Sequence, residues 1–279
     1  MSLPLTDALR QQYTNLFKTC QPAALTSLSC INSAVDHIVA NQSRYQSVAT
    51  PLSIPWYFVG IVHHMEASLN FNCHLHNGDP LSARTVHVPA GRPPTGNPPF
   101  TWEQSATDAL KNRAVDRATD WTIPGFLYQL EAYNGFGYRL SHPEVLSPYL
   151  WAMSNKYTKG KYTADGVFDP NAVSNQEGGA LVLRRMAERN IVQFAPPADP
   201  SHAAATPPSI AALGCSVTYS TSVCSPAAKT LQLALNQFPG VFLLANGIPG
   251  PETSDAFKAV TGESLQGDPR ATQAAASIR

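Results

Sequence analysis

The residues best suited to chemistry in this sequence lie in one short stretch. Glu66 stands in the last turns of an apolar run, IPWYFVGIVHHMEASLNF, just before the turn-rich HNGD. A carboxyl group at the end of a buried helix is partly desolvated, which disfavours its charged form and keeps a proton available near neutral pH. The same position also suits a carboxylate that ties down helix-end or loop amides. Asp79 follows thirteen residues later, across a turn that folds back over the helix end. It precedes Pro80, so it also reads as a turn-forming residue. Two carboxylates in unlike surroundings are the set that acid-assisted glycoside cleavage uses. One protonates the leaving oxygen, and the other guides water or steadies the oxocarbenium charge.

A rival chemistry starts from His63, His64, Glu66, Cys73, His74 and His76, which fall within fourteen residues. Zinc needs three or four ligands converging on one point. His63 and Glu66 share a helix face, but there is no HExxH, and the later histidines lie beyond the helix. No metal is therefore expected; His76 is expected to shape the cleft around Asp79, with His63 and His64 packed or capping. In the aromatic series from Tyr133 to Tyr162 most rings read as core. Tyr133 and Trp151 are the two expected to stack on sugar faces. Lys156, Lys159, Lys161, Arg184 and Arg185 read as solvated faces.

These side chains need elements to hold them. Helical spacing of apolar residues marks Asp7 to Phe17 and Ser33 to Val39. A nearly all-round apolar helix of about four turns starts at Pro55, where a missing amide hydrogen costs nothing. Ala83 to Val88 alternates like a short strand within a proline-rich loop. Further helices are read at Trp102 to Lys111, Ile123 to Tyr133 (ended by Gly135 and Gly137) and Asn175 to Asn190. APPADPSHAAATPP then reads as a linker, and helical patterns return in Lys229 to Asn236 and Glu252 to Val260. Three parts follow: 1–193, a linker at 194–208, and 209–279.

The composition narrows the options. Nineteen basic residues balance nineteen acidic ones, so no long-range field favours nucleic acid or an anionic membrane. With 43% apolar residues, 14% charged and 24 prolines in 279, the chain reads as folded and rich in loops. No apolar run reaches membrane-helix length, and MSLPLTDALRQQ lacks the pattern of a signal peptide. Of five cysteines, Cys20/Cys30 and Cys215/Cys224 are close enough in sequence to suggest bridges, against the alternative of small buried residues.

Two resemblances sharpen the reading. The helix ending in Glu-Ala-Ser-Leu-Asn-Phe resembles the Glu-Ser motif of the lysozyme-like superfamily, which includes goose-type lysozymes and lytic transglycosylases. Glu131-Ala-Tyr-Asn-Gly is similar to the Ala-Tyr-Asn-Ala-Gly motif of the transglycosylases. The resemblance spans about residues 50 to 190. Serine does not follow Glu66 directly, and the Gly-Leu-Met-Gln stretch between the two motifs is absent. It implies that Glu66 is the catalytic acid, with Tyr133 and Asn134 lining its cleft. The spacing from Glu66 to Asp79 is similar to that between the acid and the water-guiding aspartate of goose-type lysozymes. In the tail, LQLALN followed by NGIPGPETSDAF is similar to the three-helix peptidoglycan-binding domain, with Asn246 in place of its usual aspartate.

The expectation is a mainly α protein: a lysozyme-like α+β catalytic domain with a small β element, plus a small three-helix peptidoglycan-binding domain. The implied activity is a muramidase working without a cofactor on bacterial peptidoglycan, as a monomer at the cell wall. Glu66 would be the acid, Asp79 would position water, and His76, Tyr133, Asn134 and Trp151 would bind substrate. The alternatives are a transglycosylase using Glu66 alone, a chitinase or chitosanase on the same fold, and a wall-binding protein without activity.

Overall fold

The computed structural model describes residues 3–164, 166–194 and 210–271. The chain divides into two compact units, Met1–Met186 and Ala187–Arg279. Apart from Phe194, the expected linker lies outside the described residues.

The first unit is mainly helical. It contains α1 (Asp7–Lys18), α2 (Leu28–Ala40), α3 (Gln42–Ala49), α4 (Trp56–Ala67), α5 (Trp102–Asn112), α6 (Ile123–Asn134), α7 (Gly137–Ser141), α8 (Pro148–Trp151) and most of α9 (Gly179–Glu188). The described β structure is a two-stranded antiparallel hairpin, β1 (Lys161–Ala164) with β2 (Val167–Asp169), in which Lys161 pairs with Asp169.

Local chemistry sets the helix ends. Thr6 caps α1 by accepting the Leu9 amide, and Thr101 and Gln104 form a reciprocal capping box on α5. α4 is the central helix: Phe58, Val59, Ile61, Val62, His63 and His64 are all buried, and α2, α3 and α6 pack around it. A Cβ on Gly60 would stand 2.6 Å from Ile38, so glycine lets α2 approach α4 closely. α1 packs on α6. There the Tyr13 hydroxyl donates to Glu131 at 2.5 Å and Arg139 pairs with Glu131 at 2.8 Å, so a buried carboxylate is fully engaged.

Several expectations change. α4 ends at Ala67 because Ser68 and Leu69 turn left-handed, with φ of 48° and 63°, and return their amides to His64 and His63. The segment 83–88 is not a strand. Its Val86 and His87 amides bind the Asp79 side chain instead of a neighbouring strand. The strands form at 161–169. Arg184 is not a solvated residue; it is 1% exposed and its guanidinium satisfies the Phe17 and Lys18 carbonyls at the end of α1. All five cysteines are free thiols, with Cys20 buried and Cys30, Cys215 and Cys224 exposed.

In the second unit, α10 (Ile210–Cys215), α11 (Pro226–Leu235) and α12 (Pro251–Thr261) enclose a core that includes Ile210, Leu231, Leu235, Leu243, Phe257 and Leu265. The NGIPG turn is held from inside. Gln232, 1% exposed, donates to Asn246, Ile248 and Thr253 and accepts the Gly247 amide at 2.8 Å. Gly247 has φ of 78°, and a Cβ there would meet Cys224 Sγ at 2.8 Å, so the turn requires glycine.

Candidate functional site

Glu66 lies one residue before the end of α4. The last carbonyls of a helix lack partners within it. Here the side-chain amide of Gln176 supplies them, donating to His64 O at 2.8 Å and Met65 O at 3.2 Å. On the other side the loop 73–79 folds against the helix end. The His74 amide donates to the Asp79 carbonyl at 2.6 Å, and Gly78, at φ of 78°, comes so close that a Cβ would sit 2.9 Å from the Glu66 carbonyl oxygen. The helix end is thus clamped from both sides, which fixes the Glu66 backbone.

The Glu66 side chain is half-buried, and its Oε1 accepts a 2.8 Å hydrogen bond from the Tyr149 hydroxyl. Burial raises its pKa from 4.5 to about 7, against the lowering effects of the Tyr149 bond and the Arg113 charge. A carboxyl group in this state carries a proton up to neutral pH and has a tyrosine to orient it. Tyr149 also lines a cleft of about 560 Å³, with Met65, Asn134, Tyr138, Tyr162 and Gln176. Glu66 adjoins this cleft through its hydrogen-bond partner.

Asp79 is different. It is buried at 6% exposure, and both carboxylate oxygens are engaged. Oδ2 accepts the Val86 and His87 amides at 2.8 and 3.0 Å, and Oδ1 meets His87 Nδ1 at 2.6 Å. Burial alone would raise its pKa, but the His87 ring and the two amides hold it down to about 2. It is an ionised anchor for the 84–92 segment.

The other expected site residues divide. Asn134 is exposed and lines the cleft. Tyr133, 2% exposed, donates to the Leu75 carbonyl at 2.9 Å and packs under Arg113, and Trp151 is 0% exposed; neither presents a ring face to a sugar. Burial of the apolar ring is worth more here than exposure to ligand, and each indole or phenol lies on the inner face of its helix. His76 is also turned away from any ligand. It is buried at 4% exposure and bonded to Asp108 at 2.8 Å, which Arg92 grips through two nitrogens. Its work is to pin the loop on α5.

The remaining histidines have separate duties. His63 bonds to Tyr45 at 3.0 Å inside a cage of Phe71 and Trp102, and burial lowers its pKa to about 4. His74 bonds to Ser105 and the Ala83 carbonyl, each at 2.8 Å. Among the described residues no three of the His, Cys, Asp and Glu side chains gather as a metal-binding set.

Tyr149 and Gln176, which hold the Glu66 side chain and the end of α4, stand outside the expected site residues. Tyr149 follows Pro148 at the start of α8, in a stretch read as an aromatic run, and Gln176 was read as part of the last helix. Neither carries a local signal linking it to Glu66. In comparison with known proteins, the chain matches no family model, no curated protein and no solved structure.

Proposed function

We propose that this protein cleaves the β-1,4 bond between N-acetylmuramic acid and N-acetylglucosamine in bacterial peptidoglycan, with Glu66 as the general acid. The observation that carries the reading is Glu66 itself: a desolvated carboxyl at a clamped helix end, hydrogen-bonded to a tyrosine that lines a polar, aromatic cleft. Such a group gives its proton to the glycosidic oxygen as the bond breaks, and positive charge develops on the sugar left behind. The lysozyme-like motif around Glu66 supports the choice of bond, and no cofactor is required.

Two fates are open to the developing cation. Water guided by Asp79 would give a reducing end, and the sugar's own 6-hydroxyl, losing its proton to the Glu66 carboxylate as O6 bonds to C1, would give a 1,6-anhydro end. The engagement of both Asp79 oxygens with the 86–87 segment favours the second, in which Glu66 works alone. The tail unit is proposed to bind the wall and to raise the local substrate concentration for the first unit.

The test is Glu66→Gln. The amide keeps the shape but has no acidic proton, so clearance of a peptidoglycan suspension is expected to fall by ~10²–10⁴-fold while the fold is retained. A folded variant with more than a tenth of the wild-type rate would remove the assignment. Mass spectrometry of the muropeptides released by the wild-type protein separates anhydro from reducing ends. A folded wild-type protein that releases none would leave the wall-binding reading.

A further inference from the structure

Among the described residues, the cleft beside Glu66 has a single ionic side chain on its wall. Lys161, the first residue of β1, lines it with Tyr162, Ser174 and Gln176, and the other lining residues are uncharged. Lys161 is half-buried. Its cross-strand neighbour is Asp169, the acid that would ordinarily neutralise it. Asp169 makes no ion pair with it; its Oδ1 accepts the Asn171 and Ala172 amides at 2.8 and 3.3 Å, capping the turn after β2. Nearby Lys159 donates to Asn171 Oδ1 at 2.8 Å. Among the described residues Lys161 alone of this pair has no partner for its ammonium group.

The hairpin that carries Lys161 is well fixed. The Tyr162 amide donates to the Tyr138 hydroxyl at 3.0 Å, and the Tyr157 hydroxyl donates to the Gly160 carbonyl at 3.1 Å. Gly160 has φ of 97° and packs so tightly on Val145 and Phe168 that a Cβ would come within 3.0 and 3.1 Å of them. A fixed support and a partly dehydrated cation that pairs with none of the described residues make a site that is completed by an anionic group on the ligand. An ammonium is a compact point charge and suits a single carboxylate.

We propose that Lys161 is the specificity-determining residue of this cleft, pairing with a carboxylate carried by the glycan so that muramic-acid saccharides are selected over neutral chitin-type ones. The inference rests on the glycosidase reading and names the residue that would choose its substrate. The carboxylate has two sources, the lactyl group of muramic acid and the stem peptide attached to it.

The experiment uses the full-length Glu66→Gln protein, which holds saccharides without cleaving them, with and without Lys161→Gln or Lys161→Arg. Calorimetry measures binding of four probes: the peptide-free GlcNAc-MurNAc tetrasaccharide, the same with stem peptides, the same with its lactyl carboxylates amidated, and chitotetraose. The ligand that carries the recognised carboxylate is expected to bind roughly tenfold tighter than chitotetraose, the scale of one charge-assisted hydrogen bond. Lys161→Gln is expected to remove that preference, and Lys161→Arg to keep most of it. Because the stem peptide is amide-linked to the lactyl carboxyl, the two sources exclude each other: if the lactyl group is the source, only the peptide-free ligand shows the gain and amidation abolishes it; if the peptide is, only the peptide-bearing ligand shows it. An unchanged preference in a folded Lys161→Gln protein, or no preference in its parent, overturns the assignment of Lys161 alone. Binding of none of the four overturns the glycosidase reading with it.

Discussion

The Tyr149 hydroxyl donates a 2.8 Å hydrogen bond to Glu66 Oε1, joining the start of α8 to the end of α4 across 83 residues of sequence. A bond to the ionised carboxylate favours that form, whereas burial opposes it, and burial prevails. In the proposed reaction the protonated form of Glu66 is the one that acts, so kcat/KM is expected to fall as pH rises through about 7. Tyr149→Phe removes the opposing bond and should move this alkaline limb to higher pH, together with a loss of rate from poorer orientation. A pH profile of both proteins checks it, and a limb that moves down or stays fixed would show that Tyr149 does not act on Glu66.

The same shift bears on stability. Glu66 binds its proton more tightly in the folded chain than at the ordinary 4.5, so its contribution is greatest below 4.5 and is lost as pH rises to about 7. Glu66→Gln does not titrate. Relative to wild type it should gain on the order of 1–3 kcal/mol between pH 4.5 and 8, measured by urea unfolding at both ends of the range.

Asp79 has the opposite sign. Its pKa, about 2 against an ordinary 3.8, means that its stabilisation is present above 3.8 and is lost as pH falls through about 2. Asp79→Asn leaves the loop amides with a weaker acceptor and is expected to cost about 1–3 kcal/mol. If Glu66 works alone, as proposed, Asp79→Asn should keep the rate within about tenfold and release anhydro products. A loss like the ~10²–10⁴-fold one of a missing acid–base group would restore Asp79 to the chemistry.

The Tyr13–Glu131–Arg139 cluster joins α1, α6 and α7 around a carboxylate whose side chain is 2% exposed. Arg139→Ala leaves that charge buried without its partner, at an expected cost of about 3–5 kcal/mol. Adding Glu131→Leu to it should recover much of the loss. Thermal unfolding of the two variants decides whether the pair or the packing matters.

In the second unit Gln232→Ala empties a buried site that makes four hydrogen bonds to the 246–253 segment. A cost of about 1–3 kcal/mol is expected from the orphaned groups. Hydrogen exchange should quicken in α11 and α12 while the amides of α4 keep their protection. Equal acceleration in both units would indicate that they unfold together.

Local rules made much of this protein legible in its sequence. Apolar spacing marks the helices at 7–17 and 102–111, Pro55 precedes the central helix, and the all-round apolar character of 56–64 places it at the centre of the first unit. That Glu66 stands in the last turns of this helix was legible from spacing; the left-handed stop at Ser68 was not. Tertiary structure decided which groups meet it. Gln176 caps the helix end from 110 or more residues away, and Tyr149 reaches Glu66 from 83. Periodicity records which face of an element is apolar and not what that face will touch, so it could not separate Tyr149, at the cleft, from Tyr133 and Trp151, in the core. The alternation at 83–88 misled for the same reason: a strand needs a neighbour to take its amides, and here the Asp79 carboxylate took two of them, leaving the hairpin to form at 161–169.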